Sequence, residues 1–429
     1  MDDSSPAESI ENSTKEKKKT RRPANTAFRQ QRLKAWQPIL TPKTVIPLFF
    51  VIGIICAPIG GLLIYASSTV KELRIDYTNC FRDAPNSSTA ALMDSNLVFP
   101  SYKDNNTINA MWQNTYPVNY TYGSYTVQNL SRCTLTFTIP EDMKAPVLLY
   151  YRLENFYQNH RRYVASFYDK QLLGDDVSLT DVDDSSCQPL ATVNGTGTTA
   201  KAYYPCGLIA NSVFNDTLFS PVLLNVPSAP DENGNQASTN QTYEMKNTSI
   251  AWESDKALYK PRVSTNLDNI LPPPNWQIRY PNGVYSAEAP PPNLHDDEHF
   301  IVWMRTAGLP TFSKLYGRND TTTMVRGVYS MDIIDNFRTD VYQGKKSIVI
   351  TTLSVMGGKN NFLGILWLVV GGFCIALALL FLVTNLIKPR KLGDHTYLSW
   401  NNAPSSAAAK GKGKASGPTI GMASGRDLS

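Results

Sequence analysis

The chain has 429 residues, of which 42% are hydrophobic and 18% are charged, and its formal net charge at pH 7 is +5. A balance this close to neutral does not indicate a nucleic-acid-binding protein, and we expect no nucleic-acid partner. Four His and six Cys leave little material for metal or catalytic sites.

Two apolar runs without Asp, Glu, Lys, Arg or His dominate the sequence. They cover residues 45–66 and 362–387, and a helix of either length can cross a hydrocarbon layer about 30 Å thick. We therefore predict a membrane protein with two transmembrane helices. The runs separate an N-terminal tail (1–44), a large middle domain (67–361) and a C-terminal tail (388–429).

The charges flanking the runs predict the orientation of the chain. The N-terminal tail carries a formal charge of +5, the middle domain −5 and the C-terminal tail +5. Lys and Arg near membrane spans favour the cytoplasmic side. We expect both tails to be cytoplasmic and the middle domain to be lumenal or extracellular. The first run lacks a small-residue cleavage site, so we interpret it as a signal anchor.

The cysteines agree with this orientation. Two of the six lie inside the apolar runs, and the other four, Cys80, Cys133, Cys187 and Cys206, lie in the middle domain. An oxidising compartment favours disulfides between them, and four cysteines allow three pairings. Sequential pairing closes the shortest loops, and the order of the cysteines favours it.

The middle domain also contains nine N-x-Ser/Thr sequences, which are acceptors for N-glycosylation. We expect some of them to be occupied, and Asn215, just after the fourth cysteine, is the favoured site. A further acceptor at Asn12 lies in the tail predicted to be cytoplasmic and should stay unmodified. The nine are Asn86, Asn105, Asn119, Asn129, Asn194, Asn215, Asn240, Asn247 and Asn319.

Short β-rich runs predict the architecture of the middle domain. Alternating, β-branched and aromatic residues broken by Pro, Gly, Asn and Asp favour an antiparallel, sandwich-like core with long loops and short helices. The predicted helices cover 154–162 and 307–316. The predicted strands cover 131–139, 147–153, 163–168, 301–304 and 346–353.

The segment before the first span predicts a short amphipathic element at the membrane surface. Leu33, Trp36 and Leu40 follow one another at helical spacing, with basic residues beside them. Trp36 is interpreted either as an interfacial anchor or as a contact with a partner protein.

Small residues in the spans predict close approach of another helix. They are Gly53, Ala57 and Gly61 in the first span and Gly372 and Ala376 in the second. Either the two spans pack on each other or they dock onto a larger membrane partner. The spans carry polar groups only near one end, which does not favour a pore.

Residues 295–299 match the H-x-x-E-H order of one class of zinc peptidases. A polyproline run precedes them and a strand is predicted to begin at Phe300, so the two histidines are not expected to share a helix face. We interpret the run as a solvated acidic loop. With no phosphate loop or catalytic serine motif, we predict a protein that is not an enzyme and needs no cofactor.

Sequence blocks, several of them long and unusual, occur in order along the chain, at 22–41, 52–53, 58–60, 75–78, 155–163, 205–211, 214–217, 302–306, 309–312, 357–360 and 389–394. Together they closely resemble the accessory (β) subunits of type IV P-type ATPases, the phospholipid flippases. At Val355 the sequence departs from the family, in which a tryptophan is expected, and we expect one changed packing contact there.

The resemblance implies a non-catalytic two-span glycoprotein that forms a heterodimer with the catalytic ATPase subunit. Two sequential disulfides would hold its outer domain, and the complex would need it for stability, exit from the endoplasmic reticulum and lipid transport to the cytoplasmic leaflet. The complex would contact membrane lipids and work in Golgi, endosome or plasma membrane. The cytoplasmic blocks imply partner-binding residues: Asn25, Thr26, Phe28, Trp36, Pro389, Arg390 and Lys391.

Two other classes share the topology. A two-span ligand-gated channel subunit would carry more cysteines in its outer domain and polar groups facing a pore. A membrane-tethered lumenal hydrolase would need a catalytic set, for which residues 295–299 are the sole candidate.

Overall fold

The computed structural model describes residues 25–34, 41–102, 108–123, 125–194, 199–227 and 238–389. The chain divides into two compact units. Unit 1 contains residues 1–54 and 371–429, and unit 2 contains residues 55–370. Each long helix contributes residues to both units.

Helices and strands alternate irregularly along the described residues. The helices are α1 Pro42–Ser68, α2 Cys80–Asp83, α3 Arg161–Val164, α4 Asp169–Leu172, α5 Leu179–Asp183, α6 Leu208–Asn211, α7 Glu253–Lys256, α8 Glu298–Met304 and α9 Phe362–Ile387, with 3₁₀ turns at Ser95–Leu97, Pro274–Arg279, Pro281–Gly283 and Asp340–Tyr342. The strands are β1 Glu72–Asp76, β2 Ala91–Leu92, β3 Val98–Ser101, β4 Met111–Tyr122, β5 Tyr125–Ile139, β6 Val147–Glu154, β7 Thr192–Val193, β8 Lys201–Tyr203, β9 Thr217–Leu218, β10 Val222–Pro227, β11 Ser238–Thr242, β12 Ile270–Leu271, β13 Phe312–Asn319, β14 Gly327–Asp335 and β15 Lys345–Thr352.

Helices α1 and α9 are long and apolar enough to cross a membrane. They have 27 and 26 residues and mean hydropathies of 2.4 and 2.8 in their most apolar windows. Only 17% of each window is buried, whereas the core helix of a soluble protein would be largely covered. The protein is therefore an integral membrane protein with two spans, as the sequence predicts.

The first sheet of unit 2 connects directly to both long helices. Its strand order is β13-β6-β15-β1-β3, and every neighbouring pair is antiparallel. Strand β1 begins four residues after α1 ends, and β15 ends ten residues before α9 begins. Since Glu72 pairs with Thr351, the two helices emerge from adjacent central strands.

A second sheet supplies the other layer of the core. Its order is β11-β10-β14-β5-β4-β2, with β9 also paired to β14. Apolar side chains from both sheets, such as Ile75 and Ile348 from the first and Phe137 and Ile333 from the second, form one buried cluster. A small third sheet, β12-β8-β7, contains one parallel pair. The antiparallel sandwich-like prediction is confirmed.

Three of the five predicted strands are confirmed in β5, β6 and β15. The other two are wrong. Residues 163–168 end helix α3 and continue as irregular chain, and residues 301–304 lie inside α8. Asp297 explains α8, because its Oδ1 accepts a hydrogen bond from the backbone N–H of Phe300 at 3.0 Å and so caps the helix start.

Both predicted short helices of the domain are wrong. Most of 154–162 is irregular chain after β6, and 307–316 is a loop followed by β13. Gly308 and Pro310 disfavour a helix there. Strand β13 then pairs with β6, with Phe312 opposite Leu153, so tertiary pairing decides the conformation.

Candidate partner-binding surfaces

The parts of α1 and α9 that belong to unit 2 pack closely on each other through two glycines. A Cβ atom placed on Gly60 would lie 2.8 Å from the backbone N of Leu368 and 2.9 Å from the carbonyl oxygen of Gly364. A Cβ atom placed on Gly364 would lie 3.0 Å from the carbonyl oxygen of Gly60. This face of each helix is therefore closed by the other helix of the same chain.

The parts of the same two helices that belong to unit 1 pack on each other in a similar way. A Cβ atom on Gly53 would lie 2.5 Å from Cγ1 of Ile375. Phe49 and Phe381 meet edge to face, with ring centroids 5.9 Å apart. Gly53 therefore has the close-packing role that the sequence predicts for it.

Two of the other small residues face away from such contacts. Among the described residues, no atom would come within 4 Å of a Cβ atom on Gly61 or on Gly372. Ala376 is exposed as well. At these three positions the two spans do not cover each other, so the alternative of docking onto another membrane helix remains for these surfaces.

A set of hydrogen bonds, which we call the exit clasp, joins the two chain segments where the helices end in unit 2. The Ser67 hydroxyl donates to Oδ1 of Asn361 at 2.5 Å and accepts from the backbone N–H of Asn360 at 3.0 Å. The backbone N–H of Lys71 donates to the Thr352 hydroxyl at 3.0 Å. The clasp couples the helix pair to the first sheet.

Residues 25–34 form a turn in unit 1, which we call the pre-helix turn. The backbone N–H of Arg32 donates to the Ala27 carbonyl at 2.7 Å, and the Arg32 guanidinium also donates to Asn25. Thr26 accepts from the Arg29 N–H at 3.3 Å. These contacts present the Phe28 ring to solvent, with 76% of the residue exposed.

A groove of about 550 Å³ lies between the start of α1 and the end of α9 in unit 1. Val45, Ile46, Phe381 and Ile387 make its walls mostly apolar. Of the remaining partner-binding residues expected from the sequence, Pro389 lies two residues after the end of α9. Trp36, Arg390 and Lys391 lie outside the described residues, as do the other residues of 35–40 in the predicted amphipathic element.

A buried ionic cluster joins the two large sheets of unit 2. The Lys346 ammonium donates to Asp216 at 2.8 Å, to Asp335 at 2.5 Å and to the Phe337 carbonyl at 2.8 Å. The Tyr77 hydroxyl donates to Asp216 at 2.8 Å. Lys346 belongs to the first sheet and Asp335 ends a strand of the second, so the cluster fixes one sheet against the other.

The charged groups of this cluster shift one another's pKa values. Burial raises the pKa of Asp335 to about 6, although Lys346 opposes the shift. Burial alone would lower the pKa of Lys346, but the two carboxylates outweigh it and raise the pKa. Burial beside Asp216 raises the pKa of Tyr77 well above its usual value. Sequence reasoning missed this cluster; its one signal was a lysine at the start of the predicted strand 346–353.

The H-x-x-E-H run does not form a metal site. His295 precedes α8, so the two histidines do not share a helix face. Glu298 accepts hydrogen bonds from the backbone N–H groups of residues 249–251 at 2.7–3.0 Å and pairs with Lys256 at 2.9 Å. Burial opposes ionisation, but these donors outweigh it and hold the pKa of Glu298 at about 2. In the described ranges no group of three or more His, Cys, Asp or Glu is placed to hold a metal ion.

Two disulfides lie in unit 2. They join Cys80 to Cys133 and Cys187 to Cys206, the pairs that the order of the cysteines favours. The first ties α2 to β5, and the second closes the segment around the small third sheet.

The glycosylation acceptors differ in exposure. Asn319 is buried, and its side-chain amide donates a hydrogen bond to the Glu244 carbonyl at 2.8 Å. The nitrogen that would carry a glycan is therefore engaged within the folded domain. Asn215 is half-buried, and Asn105 lies outside the described residues. The remaining six are exposed: Asn86, Asn119, Asn129, Asn194, Asn240 and Asn247.

Val355 lies at the tip of a tight turn closed by reciprocal backbone hydrogen bonds between Ser354 and Gly357 at 2.8 and 3.0 Å. Its relative exposure is 101%, and that of Met356 is 62%. The departure from the expected tryptophan therefore changes an exposed surface and leaves the core of the domain unaffected.

The sequence of this chain is similar to a known protein family and to several known proteins. The model of the LEM3 (ligand-effect modulator 3) family / CDC50 family matches residues 63–391. The chain is 45% identical over 395 residues to the phospholipid-transporting ATPase accessory subunit CDC50 of Chaetomium thermophilum, covering 89% of this chain and 91% of that protein.

More distant species carry relatives of similar length. Identity is 40% over 387 residues to the phospholipid-transporting ATPase accessory subunit LEM3 of Saccharomyces cerevisiae, covering 89% and 88% of the two chains. It is 36% over 380 residues to cell cycle control protein 50A of Mus musculus, covering 86% and 90%.

Proposed function

The chain belongs to the LEM3/CDC50 family, and we propose that it is the non-catalytic accessory subunit of a phospholipid-transporting ATPase. The observation that carries the proposal is similarity along nearly the whole chain to proteins named as such subunits, with 89% of the chain aligned to one at 45% identity. The catalytic ATPase would be the other half of a heterodimer and would supply the nucleotide chemistry.

The surfaces of the molecule support this division of labour. Gly61 and Gly372 leave open places on the two spans where a helix of the ATPase can approach closely. In unit 1 the pre-helix turn exposes Phe28, an aromatic side chain of the kind that anchors protein interfaces. We assign both as contacts with the ATPase, together with Trp36, Pro389, Arg390 and Lys391.

The proposed orientation places both tails in the cytoplasm and the domain on the lumenal or extracellular side. Charges of +5, −5 and +5 on the tail, domain and tail support it. So do the two disulfides, because an oxidising compartment favours them. The complex would leave the endoplasmic reticulum for Golgi, endosome or plasma membrane and move phospholipid to the cytoplasmic leaflet.

Affinity purification of the full chain in mild detergent, followed by mass spectrometry, tests the proposal. We expect a P-type ATPase of much larger mass at a one-to-one ratio. A homotrimer without an ATPase would favour a channel subunit, and a lone protein with hydrolase activity would favour a tethered enzyme. Neither alternative has a supporting site among the described residues.

A further inference from the structure

A cavity of about 190 Å³ lies inside the outer domain, between α8, β13 and the loop that leads into β9. Its walls include Asn215, Arg279, His299 and Tyr316. A single water needs roughly 10–15 Å³, so the cavity accommodates a group much larger than one solvent molecule.

Four polar atoms of these walls are buried and have no hydrogen-bond partner within the described chain. They are Oδ1 of Asn215, Nε of Arg279, Nδ1 of His299 and the hydroxyl of Tyr122. The Asn oxygen accepts only, the Arg N–H donates only, and the His nitrogen and the Tyr hydroxyl do either. Buried polar groups are rarely left unpaired, so the cavity is suited to an occupant that offers both donors and acceptors.

One wall residue is itself a modification acceptor. Asn215 is followed by Asp216 and Thr217, which completes the N-x-Thr sequence. The residue is half-buried, so a group attached to its Nδ2 begins at the cavity wall. Attachment precedes folding, because the acceptor is recognised on the extended chain, and later burial is no obstacle.

We propose that the first sugar of an N-linked glycan on Asn215 occupies this cavity and completes the packing of the domain. Transfer forms a bond between Nδ2 and C1 of the sugar, removes one proton from Nδ2 and releases the lipid diphosphate of the oligosaccharide donor. An N-acetylglucosamine carries an acetamido carbonyl that accepts from the Arg279 N–H. Its hydroxyl and amide groups donate to Asn215 Oδ1 and His299 Nδ1.

The side chains around the cavity also suit an N-acetylglucosamine. The His299 ring lies 4.3 Å from the Tyr316 ring, which adds an aromatic wall for the apolar face of a pyranose. Burial lowers the pKa of His299, although Asp297 and Glu298 oppose the shift. The imidazole is therefore neutral at physiological pH and keeps an acceptor nitrogen.

The first test uses the full chain purified in detergent with high-mannose glycans. An endoglycosidase that leaves one N-acetylglucosamine on each site should not change the melting temperature. A peptide N-glycosidase applied to the native protein should cleave at Asn215 roughly tenfold or more slowly than at exposed Asn247, because cleavage requires local opening. Peptide mass spectrometry reads both sites.

The second test is a double-mutant cycle. In the glycosylated protein His299→Phe should lower the melting temperature by several degrees, because it removes a partner of the sugar and keeps the ring. In an Asn215→Gln background it should be neutral or stabilising, since it removes an unpaired buried group. Asn247→Gln is the matched control and should leave the effect of His299→Phe unchanged.

The proposal is overturned by any of three results. They are an unmodified Asn215 in the mature protein, native deglycosylation at Asn215 as fast as at Asn247, or an equal effect of His299→Phe in both backgrounds.

Discussion

The folded domain of unit 2 and the pre-helix turn of unit 1 use their side chains in opposite ways. In the domain, the Lys346 ammonium is 2% exposed and has three acceptors from its own chain. In the turn, Phe28 is 76% exposed, while the turn itself is held by its own hydrogen bonds. The Lys346 cluster finds its partners within its own domain, whereas the turn presents a side chain to another surface.

The largest expected effect is a loss of stability of the folded domain. Lys346→Met should reduce the free energy of unfolding by about 3–5 kcal/mol, because it leaves Asp216 and Asp335 buried without their cation. Thermal unfolding of the purified protein measures this. The control is Arg338→Met, whose ion pair with Asp340 is exposed and should contribute little to stability. Equal losses in the two variants would show that the cluster does not hold the sheets together.

Two neighbouring glycines on α1 separate internal packing from partner binding. Gly60→Leu should destabilise the helix pair by about 1–3 kcal/mol, since its side chain would overlap the backbone of α9. Gly61→Leu should leave the isolated chain unchanged and reduce co-purification of the ATPase. Melting temperature and recovered ATPase are measured for both. An unaffected ATPase yield with Gly61→Leu would remove this face from the interface.

In the pre-helix turn, replacing Asn25, Thr26 and Phe28 together by Ala should weaken assembly with the ATPase roughly tenfold or more, because aromatic anchors dominate interface energies. The melting temperature of the domain should not change. Replacing Lys17, Lys18 and Lys19 by Gln is the control, since it alters charge alone. If that swap abolishes assembly and the turn variant does not, the segment binds the membrane surface instead.

The smallest expected effect is a pH dependence. The folded pKa of Asp335, about 6, lies above its usual value of 3.8, so the folded domain binds this proton more readily than the unfolded chain. Stability from this group is therefore present below about pH 4 and is lost as pH rises through 6. Between pH 7 and 4.5 the wild type should gain stability relative to Asp335→Asn by a few degrees of melting temperature. A constant difference would contradict the assignment.

Much of the architecture follows from local pattern. The apolar runs of the spans and the β-branched runs of β5, β6 and β15 are long enough to decide their own conformation. The shorter runs are not long enough to decide their own conformation. In α8, Ile301, Trp303 and Met304 are buried and Val302 is half-buried, so the four residues show no clear helical or strand period. The capping Asp297 was the overlooked signal.

The candidate surfaces were less predictable than the fold. Gly60 and Gly61 are adjacent and chemically identical, yet one is covered by α9 and the other is open. Only the rotation of the helix distinguishes them. The Lys346 cluster joins residues from segments 130 positions apart, and no local pattern encodes such a contact. The blocks in the N-terminal and C-terminal tails were found through family resemblance, not through periodicity.

The measurement that tests the central claim most directly compares lipid translocation by the ATPase with and without this chain. The partner identified by co-purification is reconstituted in vesicles, alone and with the full chain, at equal amounts of ATPase. We predict ATP-dependent lipid movement that requires both subunits, and no ATP hydrolysis by this chain alone. Full translocation by the ATPase without it, or ATP hydrolysis by the isolated chain, would contradict the account.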